Sequence, residues 1–188
     1  MLLTEKHIFV KNRMMTKKEL TELIDTWINI EWLQYEIIRQ PELYKLLTKI
    51  AFYDHDPKSW RAAYILDKVT DVRPELLIPY LESMLNQLKI ETNPSKKRHF
   101  LKLISQNEIS EKFSGFLFDY CIHAISSGKE PPAVRVHAMQ NLFNLAQKYP
   151  ELRGEVLSII EHEMEYHSTA GIRTRGKKLA GKLRKQLL

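Results

Sequence analysis

Apolar residues recur along this chain in stripes of helical period. After Pro150, the residues Leu152, Val156, Ile159, Ile160 and Met164 fall at i, i+4, i+7, i+8 and i+12, and after Pro74 the residues Leu77, Leu81, Leu85 and Leu88 do likewise. Near the C-terminus Ile172, Gly176, Leu179, Leu183 and Leu187 lie within about 80° of one another at 100° per residue. Breakers separate the stripes at 71–74, 92–94, 126–132 and 168–171. The pattern predicts alternating first helices over 57–70, 94–106, 132–148 and 171–187 and second helices over 75–90, 110–126 and 151–167. Upstream, Thr16 to Glu19 has the form of a capping box and opens an apolar-periodic stretch through Leu23, Trp27, Ile30 and Ile37, with a break expected near Asn29.

The helices repeat. "DPKSWRAAYIL" from Asp56, "NPSKKRHFLKL" from Asn93, "PPAVRVHAMQNL" from Pro131 and "TAGIRTRGKKL" from Thr169 carry arginines at Arg61, Arg98, Arg135 and Arg173, spaced 37, 37 and 38 apart. Between them "PEL" recurs at Pro41, Pro74 and Pro150, with "SEKF" at Ser110 in the equivalent place, and each reads as a helix start: proline fits a first turn that needs no N–H, and glutamate favours the positive end of the dipole. The D-P-x-x-apolar-Arg opening followed by a helical pair resembles the HEAT and armadillo-like repeat family. "DPKSWR" matches best, "PPAVRVHA" nearly as well, and "NPSKKRHF" is degenerate. The resemblance covers about residues 41–188. It implies an all-α fold, a right-handed superhelix of stacked antiparallel helix pairs, and says little of activity. One domain over 1–188 is expected: N-terminal helices over 16–52, repeats over 56–92, 93–130 and 131–168, a capping helix over 169–188, and no element assigned to 1–15.

Composition fits this picture. Charged residues make up 28% and hydrophobic ones 44%, with six glycines in 188 residues, as in a helical globular protein. Seven of the 29 basic residues lie between Ile172 and Leu188 with no acidic residue among them, so the rest of the chain carries −1 of the net +6. The single cysteine excludes an intrachain disulfide, charges interrupt the apolar residues of "MLLTEKHIFVKNRMM" before a signal-peptide core forms, and no stretch approaches the ~20 apolar residues of a membrane span. A cytoplasmic protein without a membrane partner is expected.

Motifs of chemistry dissolve on inspection. "HEMEYH" at His162 to His167 is not HExxH: its histidines are five apart, about 140° around a helix, and read as solvated. Asp56 in "DHDP" reads as an N-cap before Pro57. "SSGKE" at Ser126 lacks the glycine and hydroxyl pattern of a phosphate loop, and Cys121 sits among apolar neighbours as an inert thiol. No metal, no cofactor and no catalytic residue is expected.

Two functional readings follow. In the first, a non-catalytic scaffold binds another protein on the second-helix side of the array, through Glu82, Asn86, Asp119, His123, Glu161 and Glu165, an acidic set suited to a basic partner. In the second, the chain binds DNA and is related to the HEAT-like alkylpurine glycosylases, which place basic residues along their groove. The contacts would be Lys96, Lys97, Arg98, Lys102, Arg175, Lys178, Lys182 and Lys185, and Trp60, Tyr64 and Asp67 would supply aromatics beside an acid. No motif of that family matches closely enough to carry a residue over. The repeated arginines read as structural, bonding carbonyls or an acid of the neighbouring unit. The basic C-terminal stretch reads as the cap, neutralised in part by the five glutamates between Glu151 and His167.

Overall fold

In the computed structural model, residues 15–167 and 169–188 are described; the segment 1–14 and Ser168 lie outside the described residues. Among the described residues there are ten α-helices and no strand. They group into two compact units, one running to Ile78 and the other from Pro79 to Leu188.

The first unit holds α1 (Lys17–Thr26), α2 (Ile30–Arg39), α3 (Pro41–Tyr53) and α4 (Trp60–Val72). The capping box forms: the Thr16 hydroxyl accepts from the Glu19 N–H at 3.3 Å, and Glu19 accepts the Thr16 N–H at 2.8 Å. The break near Asn29 is built from two left-handed residues, Trp27 (φ 56°) and Asn29 (φ 57°), which reverse the chain between α1 and α2. α3 packs on α4, with α2 against both. Leu33, Ile37, Leu47, Ile50, Ile65 and Leu66 are fully buried there. A buried hydroxyl pair, Tyr44 and Thr70 at 2.8 Å, is passed on to the Leu66 carbonyl at 2.7 Å, so no polar atom of it is stranded.

The second unit holds α5 (Leu81–Leu88), α6 (Pro94–Ser105), α7 (Ser114–Ser126), α8 (Pro132–Lys148), α9 (Arg153–Tyr166) and α10 (Ala170–Leu187). The first helices α6, α8 and α10 form one layer, α8 touching both others, and α5, α7 and α9 form a second layer beneath. Two asparagines of α8 fasten α6: the Asn144 amide donates to the Ser105 carbonyl at 2.7 Å and the Asn141 amide to that of Leu101 at 2.9 Å. The Ser105 carbonyl ends its helix and has no partner within it, so this side chain supplies one.

Several helix starts differ from expectation. Pro41 opens α3 directly, but Pro74 and Pro150 each open a 3-10 turn, as does Glu111, and no side-chain bond from Ser110 caps that turn. The tighter winding reverses the chain within two or three residues after the preceding helix. Pro79 delays α5 to Leu81, since it has no N–H to donate within the first helical turns. Near Asp56 two side-chain turns intervene: Asp54 accepts from the Asp56 N–H at 3.0 Å and Asp56 from the Lys58 N–H at 2.7 Å, so α4 begins at Trp60 rather than Pro57.

Candidate interaction surface

The repeated arginines do not share one kind of partner. Arg61 donates to the Asp25 carbonyl at 2.7 Å and lies over the rings of Trp27 and Trp60, 5.2 and 5.9 Å from their centroids. Arg98 meets the His99 ring nitrogen at 2.8 Å. Arg135 is buried and donates to Glu163, whose second oxygen lies 3.1 Å from His167 Nδ1. Arg173, exposed, lines a surface groove described below. Position along the repeat is constant, but the neighbours that each unit presents are not.

Both local sites of the DNA-binding reading are closed. Trp60 and Tyr64 pack on Trp27 at 5.8 and 5.4 Å, Arg61 covers the indoles, and Asp67 is buried. This is a packed cluster, not an open aromatic slot beside an acid. The basic run on α6 is likewise turned inward. Lys96 is buried 3.6 Å from Glu91, Lys97 is bonded to Glu130, and Arg98 and Lys102 are half-buried. Lys96 and Lys97 are therefore not phosphate contacts, because acids from the segments before α6 and before α8 hold their ammonium groups. On α10, Arg175 donates to Gln140 and Lys182 lies 5.6 Å above Phe143, while Lys178 and Lys185 are exposed.

The scaffold residues lie on the second layer. Glu82, Asn86, Asp119, His123 and Glu165 are exposed on α5, α7 and α9, and Glu161 is half-buried. The patch is less acidic than its sequence suggests. Glu82 pairs with Lys112 at 2.8 Å, and Glu161 accepts from Arg184 Nε at 2.9 Å. Glu161 and Glu165 line a groove of about 610 Å³ together with Met164, Arg173, Lys177, Ala180 and Arg184, so three cations face two carboxylates. Repeat architecture set against the basic helix explains the difference: α10 lies along α9 and brings its charges to the same edge. The two helices approach closely at Gly176, where a Cβ would stand 2.5 Å from Met164.

Glu163 was assigned no more than a share in neutralising the tail, yet it turns inward to Arg135. His167 at the end of α9 bonds to it, whereas His162 is exposed and stacks on Tyr166 at 4.5 Å. Both histidines are exposed, as the solvated reading expects, and His167 in addition bonds Glu163. The apolar stripe itself marks Glu163: at 100° per residue it lies about 20° from Leu152, among the buried positions, whereas Glu161 and Glu165 lie about 180° and 220° away.

Cys121 is fully buried in α7, and burial pushes its thiol up; the adjacent Tyr120 phenol is pushed up chiefly by burial and then by Glu130. Both stay neutral in the folded protein while the unfolded chain ionises at about 8.5 and 10. Stability contributed by these groups is therefore present below about pH 8.5 and falls as pH rises beyond it. We expect the denaturant midpoint to decline between pH 8.5 and 10.5, with Cys121→Ala flattening the first part of the decline. A native thiol that reacts with a disulfide reagent as fast as a peptide thiol would show this burial to be wrong. Among the described residues no group of three or more His, Cys, Asp or Glu is gathered to hold a metal, and no helix is long and apolar enough to cross a membrane.

A family model described as a HEAT repeat domain matches residues 16–183, spanning α1 to α10. The chain belongs to the HEAT repeat family. No curated protein and no solved structure matches it. HEAT repeats commonly serve as protein-interaction scaffolds, because stacked helix pairs present a broad surface of side chains on a rigid frame.

Proposed function

We propose that this HEAT repeat chain is a non-catalytic scaffold that binds a protein partner through the second-helix layer of residues 79–188. One observation carries the reading: Asn86, Asp119, His123 and Glu165 stand exposed on three successive second helices. Asp119 and Glu165 make no ion pair with any described residue, so a partner's cations meet them without first displacing an internal bond. The partner fitted to this face presents basic side chains to Asp119 and Glu165.

The test is crosslinking of the full chain in cell extract, with wild type beside the double variant Asp119→Lys, Glu165→Lys. Surface substitutions of this kind leave folding nearly unchanged. The expected result is a partner whose crosslinks map to α5, α7 and α9 and which the variant no longer captures, with the melting temperature preserved. Recovery of the same partner by the variant, at the same yield, overturns the reading.

A further inference from the structure

The last helix carries a charge pattern that the scaffold reading does not use. α10 contains seven cations and no anion, and its apolar stripe is engaged as far as Leu183: Ile172, Gly176, Leu179, Ala180 and Leu183 are buried against α8 and α9. Its flanks are engaged too. On one side Arg175 bonds Gln140, Lys182 covers Phe143 and Gln186 exchanges two amide bonds with Gln147 at 2.7 and 3.0 Å. On the other, Arg184 bonds Glu161. What remains outward is Lys177, Lys178 and Lys185, all exposed and none paired with a described residue. At 100° per residue these three lie within about 100° of one another, opposite the buried stripe. The helix is thereby held rigid at both edges, with a cationic ridge facing solvent.

We infer that this ridge is a sequence-independent contact for the phosphate backbone of duplex nucleic acid. From Lys177 to Lys185 the ridge extends about 12 Å along the axis at 1.5 Å per residue, the length of three to four base pairs at about 3.4 Å each. The chemistry selects among polyanions. α10 has no aromatic residue on which unpaired bases could stack, which disfavours single strands. Between Arg173 and Gln186 its exposed positions carry no apolar side chain, so it lacks the central anchor that a protein interface needs. Its apolar stripe is buried from Ile172 to Leu183, and Leu187 and Leu188, exposed at its end, are too few to anchor it in a bilayer. Of the ridge, Lys177 borders the groove shared with Glu161 and Glu165, and Lys178 and Lys185 lie outside that groove's lining. Of the basic residues that the DNA-binding reading named, Lys178 and Lys185 enter this contact; Arg175 and Lys182 are engaged on the flank and the α6 set is closed.

The test is fluorescence anisotropy of the full chain with a 20-base-pair duplex of random sequence, titrated at several salt concentrations. Three neutralised phosphates give a slope of log K against log salt of about −2.7, or about a 40-fold loss of affinity between 50 and 200 mM salt. The variant Lys177→Glu, Lys178→Glu, Lys185→Glu is expected to melt as wild type does and to lose duplex binding. The variant with arginine at the same three positions is expected to keep it. Four results overturn the inference: no duplex binding at 50 mM salt, equal binding by the glutamate variant, affinity indifferent to salt, or binding of polyglutamate or anionic vesicles as tight as that of the duplex. Retention of the crosslinked protein partner by the variant Lys178→Glu, Lys185→Glu, which leaves the groove-lining Lys177 in place, keeps this outcome separate from the scaffold test.

Discussion

Replacing Glu163 by alanine is expected to lower the stability of the folded chain by about 3–5 kcal/mol, the cost of leaving a buried partner charge unpaired. In a chain of this length that is a fall in melting temperature of about 6–20 °C. Arg135 is 7% exposed and Glu163 1%, so water does not reach the pair to replace what the substitution removes. Glu163 also accepts from His167 through its second oxygen, and both of its acceptor atoms are thus in use. The effect on Arg135 is the severe one. Its Nε is already buried without a hydrogen-bond partner, and losing the carboxylate would strand the whole guanidinium. The same orphaned Nε predicts an asymmetry. Because the pair is incompletely satisfied, removing both charges together in Arg135→Met, Glu163→Leu is expected to restore most of the loss. Thermal melts followed by circular dichroism read both. A Glu163→Ala melt within 2 °C of wild type, or a double variant no better than the single one, would show that the pair is not what holds α8 to the end of α9.

The architecture was legible because it is written in period and punctuation. Stripes at i, i+4, i+7 located the second helices after Pro74 and Pro150, and the arginine spacing of 37 to 38 residues located the first helices, because each structural unit must bury the same face against its neighbour. α8 emerges at Pro132–Lys148 as read, and α10 within a residue of its expected start. The starts at Pro74, Ser110 and Pro150 were less legible, since proline and serine satisfy a 3-10 turn as well as an α-helical first turn and only the distance to the previous helix decides. The candidate surface was legible in part. Exposure on the second helices follows from the stripe, but charge partners do not: Lys96 meets Glu91 and Lys97 meets Glu130 only once the loops close. Glu161 and Glu163 sit two residues apart, and one turns outward to Arg184 while the other turns inward to Arg135. Helical rotation of about 200° separates them, and the apolar stripe puts Glu163 on the inward side; what the stripe does not show is that Arg135 of α8 stands opposite it.

Deleting residues 171–188 is expected to have the largest effect of all. Ile172, Leu179 and Leu183 are each 2% exposed or less, and burying a side chain of that size stabilises by about 1.5–3 kcal/mol. Three of them amount to about 5–9 kcal/mol, against a whole-domain stability of about 5–15 kcal/mol. The loss does not stop there. Removing α10 bares the face of α8 that holds Phe143 and the face of α9 that holds Ile160, and it leaves Glu161 and Gln147 without their partners. The truncated chain should therefore lose its cooperative melt or show it far below that of the full chain, with increased binding of a hydrophobic dye. The glutamate variant at Lys177, Lys178 and Lys185 is the internal control, because it reverses the charge of the ridge and leaves the buried stripe intact. If packing is what α10 contributes to folding, truncation destabilises and charge reversal does not. A truncated chain that melts like the full one would make α10 an appendage, and its cations would then need a purpose wholly outside the fold.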